Sequence, residues 1–177
     1  NDTSDLFAYR LTVRKYARVL DGAGAAKATR NRWNAKEQFV TYACSSRALA
    51  LLETRVHTSN RPIMDHSFAR IRIAVPSHRI GVIRAADLPA GWRDPEHVGH
   101  CQIRGASWYR DCPDEVVLIV PSVVVPGEDN YVIRGGAEGV EVVDEEPCDF
   151  DPRLWVNERR HEGQVLTIFD AGPSSGA

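Results

Sequence analysis

Apolar and polar residues alternate along much of the chain, which is the two-residue period of a half-buried β-strand. Residues 6–13 and 68–75 show this alternation clearly. Several shorter runs are rich in β-branched or aromatic side chains and predict further strands. These runs are residues 38–43, 79–83, 130–133 and 140–143.

Helical spacing is clearest just after the second predicted strand. Ser45 or Ser46 can cap a helix over residues 47–57, because a serine hydroxyl accepts a hydrogen bond from the free amides of a first turn. The segments around Trp92 and Trp108 are polar and contain Gly and Pro, so we expect loops there with one short helix at most. The balance predicts an α+β fold in which sheet dominates.

The most continuous apolar run covers residues 115–125, and Pro121 and Pro126 divide it into short strands or a strand and a bend. Ser122 interrupts this run. A lone hydroxyl among so many apolar side chains must find a hydrogen bond. Because a serine that follows proline in a turn commonly bonds to backbone, a structural role for Ser122 stands beside a functional one.

Glu53 is the most informative position in the predicted helix. Leu49, Leu52, Glu53 and Val56 occupy the i, i+3, i+4 and i+7 places of one stripe, so a carboxylate sits where a core-facing pattern calls for an apolar side chain. A buried carboxylate needs an Arg, several donors or a cationic ligand. A structural Glu–Arg pair, or a Glu at the edge of the stripe, would explain the same pattern without catalysis.

A polar segment just before the second strand contains Arg32, Trp33 and Asn34. Arg presents a planar fork that matches phosphate or carboxylate oxygens, and a neighbouring Trp can exclude water or stack on a ring. An exposed Arg beside a core Trp is the structural alternative. Tyr42, at the end of the strand, is on its own more typical of a core or edge aromatic.

The charge balance does not favour nucleic acid or an anionic membrane as the main partner, because 22 Lys and Arg stand against 24 Asp and Glu. The distribution is uneven. Residues 1–60 carry ten Lys and Arg and five Asp and Glu, whereas residues 137–151 carry seven acidic residues and no Lys or Arg. A basic first third suits a phosphate-bearing small ligand, or equally a solvated basic face.

The cysteines and the absence of long apolar runs predict a reduced, cytoplasmic protein. The four cysteines form no C-x-x-C pair and are too few for a disulfide scaffold in a chain of 177 residues. No run approaches the roughly 20 apolar residues of a membrane span, and residues 1–5 lack the features of a signal peptide. We therefore expect neither a membrane nor a direct nucleic-acid partner.

Three familiar chemical motifs are absent or incomplete. Residues 21–27 lack the third glycine of G-x-G-x-x-G, and there is neither a Walker A sequence nor a G-x-S-x-G elbow. The cluster of two histidines and a cysteine in residues 97–101 has no second ligand group to complete a metal site, so no metal is expected.

Several short segments, taken in order, resemble the RES-domain family, which takes its name from Arg, Glu and Ser. The resemblance runs from Tyr9-Arg10 to Asp151-Pro152-Arg153-Leu154 and covers nearly the whole chain. Its segments are Gly22-Ala23-Gly24, Arg32-Trp33-Asn34, Val40-Thr41-Tyr42, Ser46-Arg47-Ala48-Leu49-Ala50-Leu51-Leu52-Glu53, Val120-Pro121-Ser122-Val123-Val124-Val125-Pro126 and Asn130.

The chain departs from the family pattern at two places. The family usually has small Gly residues just before the Arg-Trp pair, where this chain has Arg30-Asn31, and Asn-Pro near the position of Arg134-Gly135. The first departure concerns the loop expected on the phosphate side of the pocket, and the second concerns one of its walls. We expect a single RES domain over residues 1–170, ending near Phe169, and a flexible tail over residues 171–177.

The resemblance implies an ADP-ribosyltransferase-like fold, in which two packed β-sheets with flanking helices enclose a cleft that holds NAD⁺ as substrate. It implies that Arg32, Tyr42, Glu53 and Ser122 are catalytic. It also makes Trp33, Asn34, Ser46 and Asn130 candidates for binding NAD⁺.

The implied activity is that of a toxin that cleaves the nicotinamide–ribose bond of NAD⁺ by hydrolysis or phosphorolysis and so depletes cellular NAD⁺. An Xre-type helix-turn-helix antitoxin, or another neutralising protein, would be its partner. The alternatives are a mono-ADP-ribosyltransferase acting on a protein, a secreted effector with the same chemistry, and a non-catalytic partner-binding domain in which Glu53 and Arg32 form a structural pair.

Overall fold

A computed structural model describes residues 3–58 and 65–149 of the chain. The expected domain end near Phe169 and the predicted tail over residues 171–177 lie outside the described residues. The described part contains seven strands and three α-helices, which confirms the α+β class. The elements are β1 (Thr3–Val13), α1 (Ala23–Lys27), β2 (Val40–Cys44), α2 (Arg47–Thr58), β3 (His66–Pro76), β4 (Ile80–Val82), α3 (Val98–Asp111), β5 (Val117–Pro121), β6 (Asp129–Arg134) and β7 (Val140–Pro147).

The seven strands lie in the order β4-β5-β6-β2-β1-β3-β7. The β4–β5 pair is parallel and the other pairs are antiparallel. Within the described residues, β1 and β2 share the single register pair Tyr9–Cys44, whereas β1 and β3 are paired along their whole length. The two expected sheets are therefore two halves of one continuous sheet, β4-β5-β6-β2 and β1-β3-β7. The Tyr9–Cys44 pair joins the two halves.

The two halves of the sheet pack on one another. One cluster of buried side chains combines Ala8 and Ile71 from the β1–β3 half with Ala43, Val117 and Ile133 from the other half. Because strand side chains alternate between faces, the residues between these positions on β2, β5 and β6 face the opposite way. That opposite face is covered by α2 at one end and by α3 at the other.

The prediction of loops around Trp108 was wrong, because α3 is a helix of 14 residues that contains this tryptophan. Its buried residues are Cys101, Gly105 and Trp108, which follow helical spacing. Two of the positions that mark its inner face are thus a glycine and a cysteine, which have low helix propensity, and this explains why the pattern did not indicate a helix.

The α2 helix begins at the predicted residue, and the hydroxyl of Ser46 accepts a hydrogen bond from the amide of Leu49 at 3.1 Å, as a helix cap does. The predicted core-facing stripe was only partly right. Leu49 is buried, but Leu52 and Val56 are 43% and 60% exposed. The inward face passes instead through Leu49, Ala50 and Glu53, since the helix packs on Cys44 and Phe68 along that side.

Arg134, where this chain departs from the family pattern, holds the end of α3. Its guanidinium donates to the carbonyl oxygens of Tyr109 and Cys112 at 3.0 and 2.9 Å and stacks over the Trp108 ring. A cation at a helix C-terminus satisfies carbonyls that have no partner within the helix and is favoured by the helix dipole. The departure thus has a structural role on the outer face of the sheet.

Gly105 allows α3 to approach the segment that carries Arg32 and Trp33. A Cβ atom at position 105 would lie 2.0 Å from the carbonyl oxygen of Trp33, whereas one at Gly99, in the same helix, would meet nothing within 4 Å. The close approach lets Gln102 donate to the carbonyl oxygens of Asn31 and Asn34 at 2.9 and 3.0 Å.

This contact predicts opposite effects for two Gly→Ala substitutions in one helix. Gly105→Ala should lower the free energy of unfolding by about 1–3 kcal/mol, because the methyl group overlaps backbone that cannot move aside cheaply. Gly99→Ala, the matched control, should leave stability unchanged or raise it by up to about 1 kcal/mol. Urea unfolding measures both. Equal effects would contradict the tight contact at Gly105.

Candidate active site

The Glu53 carboxylate is the point at which three parts of the fold meet. Its Oε1 atom accepts hydrogen bonds from the Ser122 hydroxyl at 2.9 Å and from the Asn130 side-chain amide at 2.6 Å. Its Oε2 atom lies 3.7 Å from Nε2 of His57, one helical turn further along α2. With 17% of its side chain exposed, Glu53 is largely buried yet open on one side.

The Ser122 hydroxyl has both its donor and its acceptor capacity in use. Pro121 ends β5, and in the turn that follows the hydroxyl oxygen accepts bonds from the amides of Val124 and Val125 at 3.1 and 3.0 Å. Its hydrogen goes to Glu53. The predicted need for a hydrogen bond in this apolar run is thus met by backbone and by the carboxylate together, and Ser122 fixes the position of Glu53.

Glu53 carries its negative charge at neutral pH. Burial opposes ionisation, but the contacts from His57, Asn130 and Ser122 together outweigh it, so the pKa of the carboxylate lies below its ordinary value. Beneath it, burial and then the charge of Glu53 raise the pKa of the Cys44 thiol to about 12. The site therefore presents a fixed anion beside a neutral thiol.

Tyr42 lies on the same face of β2 as Cys44, because the two residues are two positions apart on one strand. Its hydroxyl donates to Oδ1 of Asn34 at 2.7 Å and accepts from the amide of Trp33 at 3.2 Å. Burial raises the pKa of the phenol well above its ordinary value, although the Trp33 amide opposes this shift. The ring is therefore held in one place as a neutral group.

Arg32 is held by backbone rather than by a carboxylate. Its Nη1 atom donates to the carbonyl oxygen of Trp92 at 2.6 Å, and Nη2 reaches that of Arg93 at 3.4 Å. The structural Arg32–Glu53 pair of the non-catalytic alternative is wrong, since within the described residues Glu53 is bound by Ser122, Asn130 and His57. The positive charge of Arg32 nevertheless reaches the site, because it opposes protonation of His57.

The four candidate binding residues fall into two groups. Trp33 and Asn34 are buried, Asn34 completely, and the Ser46 hydroxyl caps α2, so these three side chains are engaged within the protein. Asn130 differs, because its Oδ1 atom is buried and has no hydrogen-bond partner in the described part of the chain. A buried acceptor without a partner is uncommon in a folded protein, and this one lies next to Glu53.

His57 is the neighbour of Glu53 that the sequence analysis missed. The signal was present, since residues four apart on a helix face each other and Glu followed by His at that spacing can pair. The interaction with Glu53 raises the pKa of His57, with burial and the charge of Arg32 opposing. Its side chain is 76% exposed, so it lies at the rim of the site.

A cleft with a volume of about 460 Å³ opens where β1 and β2 diverge. Arg10, Asp21 and Lys27 line it together with Thr41 and Tyr42. Asn31, one of the residues at which the chain departs from the family pattern, also borders it and donates to the carbonyl oxygen of Ala25 at 2.9 Å. The cleft brings basic side chains to the flank of Tyr42.

Two absences hold for the described residues. No group of three or more His, Cys, Asp or Glu is placed to hold a metal ion. His97, His100 and Cys101 do not form such a group either. No helix in residues 3–58 and 65–149 is long and apolar enough to cross a membrane.

The sequence is similar to a family of known toxins. The family profile described as RES domain matches residues 7–151. The "Prs ADP-ribosylating toxin" of Sphingobium sp. (strain YBL2) is 36% identical over 141 residues, covering 76% of this chain and 86% of that protein. A "Toxin Res" of Yersinia enterocolitica is 31% identical over 155 residues, covering 84% of this chain and 99% of that protein. A "Toxin Res" of Photorhabdus laumondii is 29% identical over 129 residues, covering 73% and 81%.

A solved structure with a similar fold comes from the M. tuberculosis MbcT-MbcA toxin-antitoxin complex. The similarity has a TM-score of 0.62 and covers 86% of this chain and 88% of the matched chain. At 17% sequence identity it shows the fold alone.

The hydrogen bonds of the Tyr42 hydroxyl should contribute to stability in addition to the packing of its ring. Tyr42→Phe should lower the free energy of unfolding by about 1–3 kcal/mol, because it leaves Oδ1 of the buried Asn34 and the amide of Trp33 without their partner. Tyr16, 49% exposed, supplies the control, and Tyr16→Phe should change stability by less than about 0.5 kcal/mol. Thermal and urea unfolding decide the matter, and indistinguishable variants would refute the network.

The Glu53–His57 pair predicts a pH window for stability. The Glu53 contribution is complete above pH 4.5 and is lost as the pH falls through its lowered pKa. The His57 contribution is complete below pH 6.5 and is lost as the pH rises through its raised pKa. Urea unfolding should therefore show the largest difference between wild type and His57→Gln within pH 4.5–6.5, and a smaller one at pH 8.5. A difference independent of pH would argue against the pair.

Proposed function

Because the chain belongs to the RES-domain family, we propose that it is a toxin that cleaves the nicotinamide–ribose bond of NAD⁺ at the Glu53 carboxylate. One observation carries this proposal. Glu53 is ionised and fixed at Oε1 by Ser122 and Asn130, while Oε2 contacts the exposed side chain of His57 at 3.7 Å. Cleavage of this bond needs a fixed, partly desolvated anion, because positive charge develops on the ribose.

The chemistry follows from the charge of the substrate. Nicotinamide is cationic in NAD⁺ and leaves as a neutral ring when the electron pair of the C–N bond moves to its nitrogen, so no strong general acid is required. Positive charge grows on the ribose at the same time. A carboxylate held beside that carbon stabilises the transition state more than the ground state, which is what accelerates the step.

The neighbouring residues take supporting roles in this proposal. Asn130 holds Glu53 in place through its side-chain amide. Tyr42 packs its fixed ring beside the nicotinamide. Arg32 directs its remaining N–H groups to a phosphate or ribose oxygen, since two backbone carbonyls already hold it in place. Ser122 acts through Glu53 as a positioning residue.

Three buried or capping residues hold the site in place without facing the substrate. They are Trp33, Asn34 and Ser46. The Trp33 amide and the Asn34 side chain fix Tyr42, and Ser46 begins the helix that carries Glu53. These assignments make the three residues positioning groups rather than direct contacts to NAD⁺.

The group that accepts ADP-ribose defines two candidate activities. Water or inorganic phosphate as acceptor gives hydrolysis or phosphorolysis, and the acceptor loses a proton as it bonds to the ribose carbon. A protein side chain as acceptor gives mono-ADP-ribosylation. The second activity is favoured by the relative at 36% identity, which is named an ADP-ribosylating toxin.

A neutralising partner is part of the proposal. The structural neighbour comes from a toxin–antitoxin complex, and an antitoxin, expected to be of the Xre type, would keep this chain inactive in the cell that makes it. Growth arrest on expression of the chain alone, relieved by co-expression of the adjacent gene, tests this partnership.

Glu53→Gln tests the catalytic role, because the amide keeps the shape of the side chain and removes its charge. NAD⁺ consumption should fall by a factor of about 10²–10³. Glu96 is exposed and supplies the matched control, so Glu96→Gln should retain wild-type activity. The assay incubates purified protein with NAD⁺, with and without phosphate, and identifies the products by mass spectrometry.

Two further results bear on the proposal. Incubation with labelled NAD⁺ and a lysate from susceptible cells separates protein modification from hydrolysis and phosphorolysis, because only modification leaves label on protein. If wild type and Glu53→Gln left NAD⁺ equally intact at high protein concentration and labelled no protein, the non-catalytic alternative would replace the enzymatic one.

A further inference from the structure

The two oxygens of the Glu53 carboxylate have different surroundings. Oε1 accepts hydrogen bonds from Ser122, in the turn after β5, and from Asn130, in β6, whereas Oε2 is approached by His57 at 3.7 Å. This distance lies within the range of an ion pair but beyond that of a good hydrogen bond. Oε2 is therefore the oxygen that a ligand can reach, and His57 is the protein group that competes for it.

His57 can move towards or away from Oε2. Its side chain is 76% exposed, compared with 17% for Glu53, so the imidazole is not locked by packing. Protonation of the imidazole converts a weak contact into a charged pair, and the attraction of Glu53 outweighs the opposing effects of burial and of the Arg32 charge. The carboxylate itself stays in place, because Oε1 is held from another part of the fold.

Charged groups close to the pair shift the protonation of His57. Within the described residues, the charge of Glu53 favours protonation of His57 and the charge of Arg32 opposes it. Cys44 feels the charge of the carboxylate, and Tyr42 lies on the same face of β2, but burial raises the pKa of both groups, so they stay neutral across the range in which an imidazole titrates. His57 is thus the group near Glu53 that changes charge around neutral pH.

We propose that His57 is a positioning residue that switches the site by its charge: the imidazolium occupies Oε2 of Glu53, and the neutral imidazole leaves that oxygen open to a ribose hydroxyl. The inference rests on the proposed function, in which Glu53 serves the bound NAD⁺. It adds a pH-controlled state to the site.

Two physical effects of protonation act in the same direction. The imidazolium takes the oxygen that would hold the ribose, which weakens productive binding. It also adds a positive charge close to the carbon on which positive charge develops, which raises the energy of the transition state. Activity therefore belongs to the neutral form of His57.

The pH dependence follows from the direction of the shift. His57 titrates above its ordinary value of 6.5, so at pH 5.5 less than about a tenth of the molecules carry the neutral form. The value of kcat/KM for NAD⁺ should fall at least about tenfold between its alkaline plateau and pH 5.5. Glu53 does not contribute to this loss, because its own pKa lies below 4.5.

Three variants test the switch through the pH profile of kcat/KM. His57→Gln, which cannot take a charge, should keep the plateau activity down to pH 5.5. His57→Lys, which keeps the charge, should show the low activity at every pH from 5.5 to 8.5. His78 is exposed and lies beside β4, and His78→Gln should reproduce the wild-type profile. A tenfold acid loss that persists in His57→Gln would overturn the proposal.

The titration of the imidazole gives a readout that does not require turnover. An NMR titration, with the His57 signal assigned by its absence in His57→Gln, should give a pKa that falls in Glu53→Gln. An unchanged pKa would also overturn the switch. Failure of the proposed function looks different, since NAD⁺ would then survive with every variant and at every pH while the coupling between His57 and Glu53 persisted.

Discussion

The hydrogen bonds that Ser122 and Asn130 donate to Oε1 of Glu53 are the interaction on which the site depends. They join α2 to the turn after β5 and to β6, since Ser122 and Asn130 lie 69 and 77 positions after Glu53 in the chain. A carboxylate that is largely withdrawn from water is tolerated only with such donors. The same two bonds therefore stabilise the fold at this point and leave Oε2 with His57 as its neighbour.

The α3 helix positions Tyr42 through the segment that carries Asn31 and Asn34. Gly105 lets this helix approach Trp33, and Gln102 then binds the carbonyl oxygens of Asn31 and Asn34. Asn34 in turn holds the Tyr42 hydroxyl. A chain of backbone and side-chain contacts thus runs from the outer helix to the strand beside Glu53, so that residues without direct access to a ligand determine where the accessible ones lie.

Some polar groups of the site have all their hydrogen-bonding capacity in use, and others do not. Ser122 has none left, because its hydroxyl serves two backbone amides and Glu53. Oδ1 of Asn130 is buried without a partner in the described part of the chain, whereas Oε2 of Glu53 meets the exposed His57 at 3.7 Å. In the proposed function, Oε2 is the atom that serves the ribose.

The sequence by itself determined the strands, the start of α2 at its serine cap, the α+β class and the need of Glu53 and Ser122 for hydrogen-bond partners, because alternation, capping and an unexpected polar residue are local signals. It did not reveal α3, whose inner face includes a glycine and a cysteine. Nor did it reveal the rotation of α2 about its own axis that leaves Leu52 and Val56 exposed. Only the tertiary structure decided which donors reach Glu53, that Arg32 binds backbone carbonyls instead, and that His57 faces the open oxygen. Those outcomes depend on contacts between segments distant in sequence, and no local pattern encodes them.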